Sequence, residues 1–221
     1  QTGYSIFVAT KCMNSIVNTH VAQVPRSQYQ LVSTAAVCMA CRSIMLVEFP
    51  VTNLSYMTND SSSPLQIIAK DRDMCEVLGP NFYKLPTKSD FVEILCMAAK
   101  IDATSPGDGM MLRGQAIVHY FLDVGALPLS MCHLKPSLAV AAAIMCTLRV
   151  LHRPDWNARL EFYSGHAEPV VRAWANRLVV QARTCWVSIL AKKYTRAQYG
   201  GVCPKHGTRG AWHVIETYLA L

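Results

Sequence analysis

Hydrophobic residues recur along this chain at the three- and four-residue intervals of an α-helix nearly everywhere, and no stretch sustains the period-two alternation of a strand. The pattern predicts an all-α protein. In the first part of the chain it predicts a helix over about 4–19, a stop near Pro25, a central helix over 27–43, a short helix over 50–56 and another from Pro64 to Leu78. Pro64 follows Ser61-Ser62-Ser63, which offers a hydroxyl cap with proline in the first turn, where its missing N–H costs nothing. Gly79-Pro80 ends that helix, and Leu85-Pro86-Thr87 marks the crossing into a second part. There the pattern predicts helices over 87–101, 109–124, 136–151, 156–163 and 167–191, punctuated by Ser105-Pro106-Gly107, Pro136-Ser137 and Pro154-Asp155. A turn-rich stretch from Tyr199 to Gly210 precedes an amphipathic helix over 211–220.

The two parts share a register. Leu31, Ala35, Ala36, Arg42, Phe49 and Tyr56 recur as Leu138, Ala142, Ala143, Arg149, Trp156 and Tyr163, each 107 positions further on. Two copies of one helical unit are implied, each with Ala-Ala at the centre of a helix, where small side chains let neighbouring helices approach closely. The period exceeds the roughly 20–50 residues of a solenoid repeat and fits a duplicated domain. Residues 1–84 are expected to form the first unit, 85–193 the second, and 194–221 a tail with a C-terminal helix. The second unit shows five predicted helices and the first four, so the first is expected to lack its initial helix. The chain, opening in Gln1-Thr2-Gly3-Tyr4, reads as a fragment of something longer.

With 52% hydrophobic and 16% charged residues, disorder is not expected as the dominant state. The longest apolar run, Leu138 to Cys146, falls well short of the ~20 residues that a spanning helix needs, so a soluble chain with no membrane partner is expected. Nine cysteines is an odd number, and Cys12, Cys38, Cys75, Cys96, Cys146 and Cys185 all lie inside apolar helical patterns. They read as small buried hydrophobes in a reducing compartment. Charge is uneven: residues 1–148 carry 10 Lys and Arg against 10 Asp and Glu, whereas residues 149–221 carry 11 against 4. The whole excess of +7 thus lies in the last third. A basic face suits nucleic acid, phosphate or an acidic partner, but no run of Lys and Arg is interleaved with aromatics. It reads as solvated surface, and nucleic acid is not the expected partner.

No catalytic constellation emerges. Cys38-Met39-Ala40-Cys41 has redox or zinc spacing but lies within a helix with no second pair at a matching distance. Cys203, His206 and His213 offer three loop ligands at most, so no metal and no cofactor is expected. Ser164-Gly165-His166 lacks the flanking glycine and strand of a nucleophile elbow and reads as an interhelical turn. Asp71 and Asp73, two apart on a helix, face different ways and are not an acid–base pair. His119, His133 and His152 are scattered. Without a nucleophile, base and oxyanion site together, an enzyme is not expected.

Several ordered motifs resemble the cyclin family, whose fold is two successive five-helix boxes. Gln30-Leu31-Val32-Ser33-Thr34-Ala35-Ala36 resembles the "LQLVGTAA" start of the central helix of the first box, preceded by Val24-Pro25-Arg26 as in B-type members. Pro50 and Tyr56-Met57-Thr58-Asn59-Asp60 stand where the family has its "PP…YITDD" segment. In the second half, Lys135-Pro136-Ser137-Leu138 with Ala139 to Ala143 resembles the mitotic "PSL-AAAA" motif. Trp156, Leu160-Glu161 and Tyr163-Ser164-Gly165-His166 resemble "W…LEHYTGY", and Lys193-Tyr194 with Tyr199 resembles "KY…KY". The likeness covers nearly the whole chain and is strongest to A- and B-type mitotic cyclins, cellular or viral.

The resemblance implies a non-enzymatic subunit, in the nucleus and cytoplasm, that binds and activates a cyclin-dependent kinase in cell-cycle control. In the family, a Lys ending the central helix and a Glu 29 positions later are central to kinase docking; Arg42 and Asp71 hold those places here. Met39, Cys75 and Phe82 map to apolar packing positions of the same interface. Ser43, Ile44-Met45 and Pro80 depart from the family pattern around it. Of the groove that receives Arg-x-Leu motifs of substrates or inhibitors, only Gln30 remains, the rest being carried by a helix outside this chain. Two alternatives stay open: a cyclin-fold scaffold that binds nucleic acid or a transcription complex without kinase activation, and a degenerate cyclin with no kinase partner.

Overall fold

A computed structural model describes residues 24–44, 50–79, 86–101, 113–184 and 188–196. The helices expected over 4–19 and 211–220, and the turn-rich stretch before the latter, lie outside the described residues. The chain divides into two compact units, residues 1–89 and 90–221, and among the described residues both are helical with no strand.

In the first unit a 3₁₀ turn, Arg26–Gln28, leads into α1 (Tyr29–Ile44), followed by α2 (Val51–Met57) and α3 (Pro64–Leu78). Helix α1 is central. Its Val32, Ala35, Ala36, Met39 and Ala40 pack with Met74 of α3, and Val24, Cys75 and Leu78 close the margin. A second cluster joins Cys38 of α1 to Leu54 of α2 and Ile67 of α3. The expected cap of α3 is present as a reciprocal pair: Gln66 N–H donates to Ser63 Oγ at 3.3 Å, and Ser63 N–H donates to Gln66 Oε1 at 2.8 Å. At the other end Gly79 takes φ +74°, a conformation that costs a side-chain-bearing residue about 1 kcal/mol or more.

The second unit comprises α4 (Lys88–Ala98), α5 (Arg113–Gly125), α6 (Leu129–Cys132), α7 (Pro136–Val150), α8 (Ala158–Ser164), α9 (Glu168–Thr184) and α10 (Ser188–Tyr194). Twelve of the fifteen residues of α7 are buried, and α5, α8 and α9 all pack against it. The segment expected as one helix over 167–191 appears as α9 and α10, with residues 185–187 between them outside the described set. The helix expected over 87–101 ends earlier, because Lys100 takes φ +53° and Arg153 donates to the carbonyls of Ala99 at 2.9 Å and Lys100 at 3.0 Å. Helix α10 is tied to α5 through Asp123, which accepts from Lys193 Nζ at 2.6 Å and Tyr194 Oη at 2.7 Å.

The 107-residue register survives in three dimensions. Helices α1 and α7 begin at Tyr29 and Pro136, and α2 and α8 at Val51 and Ala158, each pair 107 residues apart. Ala35, Ala36, Ala142 and Ala143 are all at 0% exposure, as close helix packing at the centre of each unit requires. Among the described residues no helix is long and apolar enough to cross a membrane.

Candidate docking site

Arg42 stands in the last turn of α1, where a cation suits the negative end of the helix dipole, and about half of its side chain (49%) is exposed. Beneath it lies Asp71, a carboxylate in the middle of α3 that is only 3% exposed. Arg42 Nη2 is ion-paired with Asp71 Oδ2 and also reaches Cys75 Sγ at 3.8 Å. Asp71 and Cys75 are four apart and share one face of α3, so a single guanidinium spans both. The other carboxylate oxygen, Asp71 Oδ1, is buried with no hydrogen-bond partner among the described residues.

The electrostatics are a contest between burial and the arginine. Burial pushes the Asp71 carboxyl above its ordinary value, while the charge and hydrogen bond of Arg42 pull it down; the net direction is upward. The close ion pair by itself suggests the opposite direction. The upward one is physically the better supported, because Arg42 is half in water and its field is screened, whereas the carboxylate has lost nearly all its hydration. The Cys38 thiol is likewise pushed up, first by burial and then by Asp71, and burial alone raises Cys41. What this arrangement offers chemically is a planar donor at the surface braced on a buried acceptor.

The structure brings together four of the residues singled out from the sequence. Arg42 and Asp71 touch, Cys75 is half-buried beside them, and Met39 is fully buried one turn before Arg42 in the α1–α3 core. Met39 therefore shapes the box beneath the site and presents no surface of its own. Phe82 lies outside the described residues. Gln30 is exposed in the first turn of α1, twelve residues from Arg42 and hence about 18 Å along the helix axis, and belongs to no common site with it. Half-buried Cys41, adjacent to Arg42, was not singled out for this site; the Cys38–Cys41 spacing was its only signal, and it pointed to other chemistry.

The second copy handles the corresponding arginine differently. Arg149 Nε donates to Asp155 Oδ2 at 3.0 Å and Arg149 Nη1 to Asn176 Oδ1 at 2.9 Å, and Arg172 Nη1 reaches the same Asp155 oxygen at 3.1 Å. The position 107 residues beyond Asp71 is Leu178, a core side chain at 1% exposure. Among the described residues, only the first copy builds a buried carboxylate under its arginine.

The remaining candidates have structural partners. Ser164 Oγ donates to Glu161 O and accepts from His166 N–H, with Gly165 at φ +70° closing α8, so this stretch is the turn its sequence suggested. His166 Nε2 also lies 2.9 Å from Ser137 Oγ at the start of α7. Asp73 pairs with Lys70 at 3.3 Å on the exposed side of α3, away from Asp71. Among the described residues no group of three or more His, Cys, Asp or Glu is placed to hold a metal ion. Cys203, His206 and His213 lie outside those residues.

Compared with known proteins, residues 86–204 match the family described as "Cyclin, C-terminal domain". G2/mitotic-specific cyclin-B of Patella vulgata is 22% identical over 199 residues, covering 88% of this chain and 46% of that protein. G2/mitotic-specific cyclin CYB1 of Candida albicans is 26% identical over 163 residues, covering 73% of this chain and 30% of that protein. Cyclin-B1-2 of Arabidopsis thaliana is 25% identical over 186 residues, covering 82% and 40%. The chain thus spans less than half the length of each of these relatives.

Proposed function

The chain belongs to the cyclin family, and from that premise we propose that it is a regulatory subunit, not an enzyme, whose first box docks on and activates a cyclin-dependent kinase in cell-cycle control. The observation that carries this reading is the half-exposed guanidinium of Arg42 braced on buried Asp71, present in the first copy and replaced by a Leu178 core contact in the second. A kinase helix laid across the end of α1 would receive donors from Arg42's rigid fork at little cost in side-chain ordering. Residues 1–84 and 85–193 are the two boxes of this proposal, acting in the nucleus and cytoplasm, and Gln30 is the part of an Arg-x-Leu docking groove that it retains.

The test is activation of purified cyclin-dependent kinases by the chain and two variants. Arg42→Ala removes the donors and leaves Asp71 buried and unpaired, so binding is expected to fall by ~2–5 kcal/mol. Arg149→Ala breaks its bonds to Asp155 and Asn176 and is expected to lower the stability of the second unit while kinase activation persists. Equal, small effects of both substitutions on activation refute the assignment.

The alternative of a cyclin-fold scaffold without kinase activation is favoured by one observation, the basic last third. Duplex DNA binding that falls steeply with salt, together with no activation of any kinase, would decide for it.

A further inference from the structure

Between Glu168 and Glu216 the chain has eight Lys and Arg residues and no carboxylate. Two of these cations are spent inside the second unit: Arg172 on Glu168 and Asp155, and Lys193 on Asp123. Arg177 and Arg183 of α9, Lys192 of α10 and the adjoining Arg196 are exposed, and none is ion-paired with a carboxylate among the described residues. Arg177 lies over the ring of Trp174, its Cζ 4.5 Å from the ring centre, which holds the guanidinium against the helix and lowers the entropy it would lose on binding.

The cations of α9 alternate with exposed aliphatic side chains. Val170, Ala173, Arg177 and Val180 recur at three- and four-residue spacing, with Arg183 on the next turn, and Val170 and Val180 are 47% and 57% exposed. The opposite side of α9 is the one that holds it to its unit: Leu178, buried at 1% exposure, packs at Gly125 of α5, where an added Cβ would stand 3.2 Å from Leu178 Cδ1.

We propose that this face of α9 docks an acidic, amphipathic peptide segment of a partner protein. Arg177 and Arg183, in a stretch with no carboxylate from 169 to 215, supply the charge complementarity, and Val170 and Val180 on the same stripe supply contacts for aliphatic anchors of the segment. A phosphate backbone would use the cations but leave the exposed side chains of Val170 and Val180 uncovered. A second copy of the same face is opposed by like charge. The surface is on the second unit and does not involve Arg42, so it stands or falls independently of kinase docking.

The experiment titrates the full chain against a fluorescent synthetic peptide carrying Glu on one helical face and Leu at three- and four-residue spacing, with mixed-sequence duplex DNA of equal charge as a second probe. Saturable peptide binding is expected, tighter than DNA binding. Arg177→Glu combined with Arg183→Glu is expected to weaken it at least about tenfold, since two pairs are lost and repulsion is added. Because Arg177 touches Trp174, Arg183→Glu alone serves as a second variant at an exposed position outside that contact, and circular dichroism checks that both variants keep their helix content. Val180→Ser should weaken peptide binding and leave DNA binding unchanged, while Arg42→Ala should change neither. Tighter binding of DNA than of the peptide, with a steep salt dependence, overturns the proposal in favour of nucleic acid. Absence of saturable binding, or indifference to both charge reversals, overturns it in favour of a merely solvated face.

Discussion

Replacing Asp71 by Asn is expected to stabilise the first unit at neutral pH, although it weakens an ion pair. The side chain is 5% exposed, and its Oδ1 has no partner among the described residues, an arrangement that costs ~1–3 kcal/mol. Against this, the bond to half-exposed Arg42 is worth only ~0–1 kcal/mol after solvent screening. Asn keeps the shape and one acceptor for Arg42 and removes the buried charge, while its Nδ2 takes the unpartnered place of Oδ1, so the penalty falls from that of a charged group to that of a neutral one and a gain of about 1 kcal/mol at most follows. For a unit within a chain of this size, each kcal/mol raises Tm by about 2–4 °C. The pH dependence carries the sharper test. Burial raises the Asp71 pKa in the folded state, so the stability it contributes is fully present below its ordinary value of 3.8 and is lost as pH rises through the folded value. Asn mimics the protonated form at every pH. The advantage of Asp71→Asn in thermal unfolding should therefore vanish near pH 3.8 and grow toward neutrality. Destabilisation at pH 7, or a gain that does not change with pH, would refute the reasoning and restore the ion pair as the dominant force.

Asp155 should behave with the opposite sign. Burial pushes its carboxyl up, but the hydrogen bond from Arg149 and the charges of Arg172 and Arg149 outweigh it, so its contribution is present above 3.8 and lost as pH falls through the lowered folded value. Asp155→Asn is expected to lower stability at pH 7, by at most about 1 kcal/mol given its partial exposure, and to make little difference in acid, as thermal unfolding at the two pH values would show. In Gly114→Ala the new Cβ would stand 2.7 Å from Ile101 Cγ2, so overpacking should outweigh the helix-propensity gain and cost ~1–2 kcal/mol in urea unfolding. Adding Ile101→Ala should relieve the clash, making the double variant less destabilised than the sum of the singles. Arg153→Ala removes two donors from the end of α4 and is expected to cost ~1–3 kcal/mol, with faster amide exchange confined to the residues around Ala99 and Lys100.

How much of this was legible in the sequence depends on how local the cause is. The bounds of α3 follow from Ser63-Pro64 at one end and Gly79 at the other, and both signals act within a turn of the residues they govern. The paired starts of α1 with α7 and α2 with α8 follow from the repeat, because two copies of one packing solution keep their register. The early end of α4 was not legible, since the group that binds the carbonyls just past it, Ala99 and Lys100, is Arg153, more than fifty residues away. Helix α6 is a single turn, too short for periodicity to register. At the site, the proximity of Arg42 and Asp71 was anticipated only by resemblance. That Asp71 is buried while Arg42 stays half in water was not, because the pattern of α3 marks position 71 as charged and burial there is decided by what α1 lays over it.

The near-total burial of α7 bears on the order in which this molecule comes apart. A helix with twelve of fifteen residues inside offers water no face along which its hydrogen bonds can open one at a time. Its amides are expected to exchange only when α5, α8 and α9, which all pack against it, have left it, so it should be the slowest-exchanging segment of its unit and the part that a protease reaches last. Helix α1, by contrast, keeps Tyr29 and Val37 at the surface and can fray from its first turn while its centre holds.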